Sequence, residues 1–130
     1  MLRNFMNSNY NYGPAGEALK YDLIYEPDLV SHDPIVSFET AIWYWMTSHY
    51  TGVPSCHSVM VGTWIPSEYD KKASRLPGYG VTINILFPYD CGIKEDYNVV
   101  HSINFYNRST TILNVSPGEN VHCNDQQPFP

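Results

Sequence analysis

The sequence is poor in charge, and basic residues are especially few. Only 15% of its 130 residues are charged, and 7 Lys and Arg stand against 13 Asp and Glu, which gives a net charge of -6. Nucleic acids and anionic membranes are bound by clustered Lys and Arg. The composition therefore argues against nucleic-acid and membrane partners, whereas a neutral polymer would be indifferent to this charge.

Sequence motifs that bind metals or cofactors are also lacking. The chain has 3 cysteines and 5 histidines, but no Cys-x-x-Cys and no His-Glu-x-x-His. It contains neither a Gly-rich phosphate loop nor a nucleophile elbow. We therefore expect no metal and no cofactor. The odd number of cysteines permits at most one internal disulfide.

Targeting and linker segments are not apparent. Arg3 and Asn4 interrupt any apolar run after Met1, so no signal peptide is predicted in this chain. Residues 1–8 are polar and aperiodic, and we interpret them as a divergent, unstructured start. No repeat or linker divides residues 9–130, which we expect to form one monomeric domain.

The strongest local pattern is a helix from Asp33 to Thr47. Asp33 suits an N-cap, and Pro34 suits the first turn, where its missing N–H costs nothing. Apolar residues recur at helical spacing and leave little polar surface, which predicts a core helix buried on nearly every side. The run is too short, and too close to Glu39, to cross a bilayer.

Other segments predict short helices. We expect helices from Pro14 to about Tyr21, from His57 toward Trp64, and from Ser67 through Arg75, the last with Asp70 on its solvent face. Gly16 inside the first of these suggests a close contact that needs the missing side chain. The last helix is expected from Glu95 to Leu113. Residues 81–85 alternate apolar and polar and, taken alone, resemble a strand.

Tyrosine is abundant, with 11 residues, and there are 3 tryptophans. Such rings stack on sugar faces while their polar edges bond hydroxyls. The alternative interpretation, a Tyr-rich core and surface, is equally open from composition alone.

The chain resembles the plant-type chitinases, glycoside hydrolase family 19, from about Asn9 onward. The resemblance is carried by motifs in one register: Asn9-Tyr10-Asn11-Tyr12-Gly13-Pro14-Ala15-Gly16, Pro27-Asp28-Leu29-Val30, Val36 to Met46, Pro54-Ser55-Cys56-His57, Arg75-Leu76-Pro77-Gly78-Tyr79-Gly80-Val81, and Gln126 with Pro128-Phe129. It implies a mainly α, lysozyme-like chitinase-type helical domain, present here as an incomplete C-terminal part.

Further expectations follow only from this resemblance. It implies a Cys91–Cys123 disulfide, with Cys56 left as an inert free thiol, and a helix instead of a strand over residues 81–85. It implies Tyr10 and Asn11 as substrate-binding residues for chitin or related N-acetylglucosamine oligosaccharides. An alternative, equally weighted, is that Asn9 and Asn11 merely cap a helix. The family also implies a secreted or vacuolar location.

Catalytic residues are expected to be absent. The family's inverting mechanism needs two glutamates, one of them within a His-Glu-Thr segment, and this sequence contains no such segment. Glu39 stands where the family usually has a lysine, and Ser102 where an arginine is common. Asp90 replaces a glutamate and could retain part of its role.

Three hypotheses follow. The first is a chitinase-family chain without the catalytic glutamates and inactive by itself. The second is a non-catalytic, chitin-binding, chitinase-like module that uses Tyr10 and Asn11. The third is a truncated product that folds poorly because it exposes an apolar face.

Overall fold

The computed structural model describes residues 9–93 and 96–129, and within these ranges it contains helices and no strand. The chain packs as two compact units, the first ending at Thr47 and the second beginning at Ser48. The mainly α prediction is confirmed. The expectations for residues 1–8 and for a helix start at Glu95 lie outside the described residues.

The described residues of the first unit form three helices, α1 (Asn9–Leu19), α2 (Leu29–His32) and α3 (Pro34–Met46). The expected start of α1 at Pro14 is wrong, because Pro14 lies inside the helix. A proline inside a helix removes one backbone hydrogen bond and crowds the carbonyl four residues before it, yet α1 continues through Pro14. Buried apolar side chains from all three helices and the loop after α1 form the core of this unit: Ala15, Leu23, Val30 and Val36.

Gly16 allows the chain to turn back at the end of α1. A Cβ on Gly16 would lie 2.5 Å from the carbonyl oxygen of Tyr21 and 3.3 Å from the backbone nitrogen of Leu23. The Gly16 carbonyl accepts a bond of 3.0 Å from the Tyr21 amide. The expected close contact is therefore present, and it is made by backbone.

Helix α3 begins as expected. The Asp33 carboxylate accepts bonds from the Ile35 and Val36 amides, at 2.8 and 3.2 Å, and Pro34 occupies the first turn. The prediction that the helix is buried on nearly every side is wrong, because only Val36 and Thr40 are fully buried. Among the described residues of the first unit, α1 and α2 pack against α3 and cover one side of it.

In the second unit, the part of the chain that the structure describes forms four helices and one 3-10 turn. They are α4 (Cys56–Met60), α5 (Glu68–Lys72), α6 (Tyr79–Leu86), the 3-10 turn Pro88–Asp90, and α7 (Tyr97–Ile112). The helical interpretation of residues 81–85 is confirmed, whereas α4 and α5 end earlier than expected. Within the described residues, no helix is long and apolar enough to cross a membrane.

Helix α6 is the centre of the second unit, since residues 80 to 84 are all buried. One apolar cluster joins Ile83 to α7 and to two cysteines: Ile83, Cys91, Val99, Ile103 and Cys123. A second joins α6 to α4 and the tail: Val53, Val59, Val81 and Phe129. The expected disulfide between Cys91 and Cys123 is present.

The C-terminal tail crosses the start of α6 in direct backbone-to-backbone contact. The Gly80 amide donates to the Asn120 carbonyl at 2.9 Å, and a Cβ on Gly80 would lie 2.1 Å from the carbonyl oxygen of His122. Any side chain at position 80 would therefore displace the tail. The motif around Gly80 is a docking site for the protein's own C-terminus.

Candidate functional site

The two predicted substrate-binding residues lie side by side in the first turn of α1. Tyr10 is 65% exposed, whereas Asn11 is only 6% exposed. Asn11 is the third residue of this helix. The exposed ring of Tyr10 is the part of this pair that presents the larger surface to a ligand.

An open depression of about 720 Å³ runs along α1 and the loop that follows it. Its lining includes two aromatic rings and three charged side chains: Tyr12, Tyr21, Glu17, Lys20 and Asp22. Neither Tyr10 nor Asn11 lines it. The predicted residues and this depression are therefore separate features of the first unit.

The Glu39 side chain is hydrogen-bonded to the hydroxyl of a tyrosine. The Tyr21 hydroxyl donates to the Glu39 Oε2 at 2.8 Å, and both side chains are half-buried. The pKa of Tyr21 is raised, chiefly because its proton is held in this hydrogen bond to a negatively charged acceptor. A carboxylate engaged as an acceptor by a neighbouring side chain is not arranged as a proton donor.

The remaining carboxylates of the first unit suit catalysis no better. Glu17, Asp22, Glu26 and Asp28 are exposed, and Asp33 is the N-cap of α3. A general acid at neutral pH needs a pKa raised by an apolar enclosure. None of these side chains is buried among apolar groups.

In the second unit, Asp90 accepts a hydrogen bond from a side-chain amide. Its Oδ2 accepts a bond of 3.2 Å from the Asn98 side chain, at an exposed position. Ser102 contributes its backbone carbonyl, which accepts a bond of 3.4 Å from the Tyr79 hydroxyl. The geometry around Asp90 is that of a surface hydrogen bond.

Sequence analysis missed a buried ion pair. Asp70, expected on a solvent face, is 7% exposed, and its Oδ1 lies 3.0 Å from the Nε of Arg75. Its other oxygen, Oδ2, accepts from the Ser67 amide at 3.0 Å and closes a capping box. Ser67 followed by an acid three residues later is the sequence signal that indicates this role.

Arg75 and Asn84 together hold the tail. The Nη1 of Arg75 donates to the Pro128 carbonyl at 3.0 Å. The side-chain amide of Asn84 donates to Gln126 Oε1 and to the Gln127 carbonyl, both at 3.0 Å, and its oxygen accepts from the Phe129 amide at 3.1 Å. These polar groups are thus committed to internal bonds and are structural.

Cys56 is free and buried, as expected. Burial raises the pKa of its thiol from 9.0 to about 12, so the nucleophilic thiolate is suppressed at neutral pH. Its Sγ faces the Thr82 carbonyl at 3.9 Å. In the part of the chain that the structure describes, no group of three His, Cys, Asp or Glu residues is placed to hold a metal ion.

Comparison with known proteins identifies the family. Residues 4–123 match the family model described as Chitinase class I. The chain is 48% identical over 125 residues to Endochitinase B of Nicotiana tabacum, and the match covers 95% of this chain and 38% of that protein. It is 49% identical to Chitinase 9 of Oryza sativa subsp. japonica, of which it covers 37%. The chain thus spans well under half the length of these relatives.

Solved structures agree with the sequence match. A bacterial family 19 chitinase superposes with a TM-score of 0.69 at 34% identity, over 88% of this chain and 50% of that one. Chitinase C of Streptomyces griseus gives a TM-score of 0.71 at 30% identity, over 88% of this chain and 41% of the other. The chain therefore belongs to the class I chitinases of glycoside hydrolase family 19.

Proposed function

We propose that this chain recognises chitin or related N-acetylglucosamine oligosaccharides and does not hydrolyse them by itself. The observation that carries the proposal is the exposed ring of Tyr10, 65% exposed in the first turn of α1. A flat apolar ring with a polar edge stacks on a pyranose face. The names of the relatives, chitinase and endochitinase, favour chitin as the polymer.

Lack of turnover is supported by the carboxylates of the described residues. An inverting glycosidase uses two carboxyl groups, one with a raised pKa, on opposite sides of the sugar. In the first unit, Glu39 is bound by Tyr21, and most of the other acids are exposed. The chain's role is accordingly substrate recognition within the chitinase family, whose members act in chitin catabolism and plant defence.

A secreted or vacuolar setting belongs to the same proposal. A disulfide joins Cys91 to Cys123, and disulfides form and persist along the oxidising secretory route. A redox environment of that kind suits a protein that meets cell-wall polymers.

Retention on insoluble chitin tests the proposal. We expect the purified chain to be retained, and Tyr10→Ala to reduce retention by up to about tenfold, since a stacked ring contributes about 0.5–1.5 kcal/mol. Tyr25→Ala is the matched control, because Tyr25 is an 84% exposed tyrosine of the same unit. Its retention should equal that of the unmodified chain.

Two results would overturn the proposal. Equal retention of the Tyr10→Ala and Tyr25→Ala variants, or no retention above that of an unrelated protein, removes chitin recognition through Tyr10. Release of chito-oligosaccharides that one point mutation in this chain abolishes removes the claim that it is inactive alone.

A further inference from the structure

A cavity of about 360 Å³ lies in the second unit, between the end of α4, the turn before α6, the middle of α7 and the tail. Ligand pockets in proteins span about 300–1,000 Å³, so this cavity has room for one small group. Its lining combines apolar side chains with one aromatic ring and one acid: Val59, Met60, Pro77, Tyr106, Pro117 and Glu119. We call it the Tyr106 cavity. Neither Tyr10 nor Asn11 lines it.

The walls of the Tyr106 cavity are held by internal contacts. The Tyr106 hydroxyl donates to the Pro117 carbonyl at 2.9 Å, and its ring is stacked on that of Tyr79 with the centroids 4.0 Å apart. The side-chain amide of Asn120 donates to the Pro77 carbonyl at 3.0 Å. These contacts connect the tail to α7 and to the turn before α6. A ligand would therefore not have to order the walls, which lowers the cost of binding.

Glycines keep the Tyr106 cavity open. Gly62, Gly78 and Gly118 line it. A Cβ on Gly62 or Gly118 would meet nothing within 4 Å, whereas a Cβ on Gly78 would collide with the Glu119 carbonyl oxygen. The first two glycines thus leave space free, and the third allows the tail to close the wall beside it.

The polar groups of the cavity favour a ligand that carries a positive charge. Among the described residues that line it, Glu119 has the only charged side chain, and no lysine, arginine or histidine is present. Glu119 is exposed, so its carboxylate can pair with a cation that arrives from solvent. The Tyr106 hydroxyl donates its proton to Pro117 and offers a ligand only its lone pairs. The net charge of -6 attracts cations to the whole chain.

An amino sugar with a free ammonium group matches this lining. The apolar faces of its pyranose ring can pack against Met60 and Pro117. Its ammonium can pair with Glu119, and a sugar hydroxyl can accept the proton of Ser116, whose Oγ accepts from the Gly118 amide at 3.1 Å. An N-acetylated sugar would bring no charge to the carboxylate.

We infer that the Tyr106 cavity binds a glucosamine unit, the form of N-acetylglucosamine from which the acetyl group has been removed. The inference rests on the proposed function for the class of polymer. It extends the recognised polymer to chitin that is partly deacetylated, and it adds a binding site in the second unit to the one proposed at Tyr10.

An NMR titration of the isotope-labelled 130-residue chain tests the inference. The probes are the tetramer of glucosamine, the tetramer of N-acetylglucosamine and the simple diamine cadaverine, each in a low-salt buffer in which the amines are protonated. The backbone amides of Gly62, Gly78 and Gly118 report from the cavity itself. We expect these amides to shift saturably with the glucosamine tetramer, and the other two probes to bind at least threefold more weakly.

Glu119→Gln removes the charge and keeps the length of the side chain. Its affinity for the glucosamine tetramer should be about three- to fivefold lower, as expected for the loss of one exposed ion pair, and high salt should abolish the difference. Asp125→Asn is the matched control, because it removes an exposed carboxylate of the same unit that does not line the cavity. Its affinity should equal that of the unmodified chain.

The titration is repeated with Tyr10→Ala to separate the two binding sites. The shifts of the three glycine amides should be the same in this variant as in the unmodified chain. Saturable shifts in a chain that is not retained on chitin would support the Tyr106 cavity and remove only the proposal for Tyr10.

Four results would overturn the inference. The first is the lack of a saturable shift of the glycine amides with the glucosamine tetramer. The second is equal affinity for the N-acetylglucosamine tetramer, because the charge would then not be recognised. The third is equal affinity for cadaverine, because an amine alone would then be the ligand. The fourth is equal affinity of Glu119→Gln and Asp125→Asn for the glucosamine tetramer.

Discussion

Removal of the Arg75 side chain is expected to destabilise the second unit strongly. The guanidinium is 1% exposed, and its Nε lies 3.0 Å from Asp70, whose side chain is 10% exposed. Its Nη1 donates to the Pro128 carbonyl at 3.0 Å. The guanidinium carbon also lies 4.2 Å from the centroid of the Phe129 ring. One side chain thus connects the end of α5 to the tail.

The magnitude follows from what Arg75→Met leaves behind. Loss of one partner from a buried ion pair costs about 3–5 kcal/mol, because the other charge remains buried without compensation. Loss of the bond to the Pro128 carbonyl adds about 1 kcal/mol. Asp70 keeps the bond from the Ser67 amide, at 3.0 Å, which offsets part of the loss. We expect the free energy of unfolding to fall by about 4 kcal/mol.

Urea unfolding of a double-mutant cycle measures this effect. Asp70→Asn in the Arg75→Met background removes the unpaired charge and should recover part of the lost stability. We expect the coupling energy between the two substitutions to be about 1–3 kcal/mol. The matched control is Lys71→Met, which breaks a surface pair whose side chains are 50% and 81% exposed. Surface pairs contribute about 0–1 kcal/mol. A loss in Arg75→Met no larger than that in Lys71→Met would refute the reasoning.

Two further predictions concern the cysteines. Burial raises the pKa of the Cys56 thiol from 9.0 to about 12, so its contribution to stability is complete below about pH 9 and declines as pH rises toward 12. The free energy of unfolding of Cys56→Ala, measured from pH 8 to 11, should fall less steeply than that of the unmodified chain, and equal slopes would contradict this. Replacing Cys91 and Cys123 by serine opens a loop with a sequence separation of 32 and should cost about 3–4 kcal/mol. An unchanged urea midpoint in that variant would show that the bridge does not constrain the unfolded chain.

Local sequence signals were sufficient to predict where a helix begins when a side chain caps the backbone amides next to it in the chain. Asp33 followed by Pro34 predicted the start of α3, and the Asp33 carboxylate caps it. Ser67 predicted the start of α5 for the same reason. Capping depends on atoms within one turn, so distant parts of the chain do not alter it.

Periodicity failed where it was used to infer what surrounds an element. The apolar stripe of α3 predicted burial, yet Phe38 and Ile42 are 62% and 59% exposed. Hydrophobic spacing specifies which face of a helix is apolar, but it does not specify which other element packs against that face. The candidate site is limited in the same way: motif resemblance indicated Tyr10 and Asn11, and the difference in their exposure could be seen only in the folded chain.

Helix α6 shows why alternation of polar and apolar residues misleads in this chain. A strand interpretation assumes that Thr82 and Asn84 face water, but both are 0% exposed. The Thr82 hydroxyl donates to the Tyr79 carbonyl at 2.7 Å within the helix, and the Asn84 amide bonds the tail at Gln126 and Gln127. Buried polar groups are stable only when such partners exist.

The tail can supply those partners because Gly80 lets it approach the helix. A Cβ at position 80 would lie 2.1 Å from the His122 carbonyl oxygen, so a larger residue would push the tail away from Asn84. The disulfide at Cys123 fixes the tail just beyond this crossing. The burial of the polar residues of α6 can therefore be predicted only together with the C-terminal residues that bind them, which lie some forty positions later in the chain. A glycine, a cysteine and an amide far apart in sequence specify one local structure together.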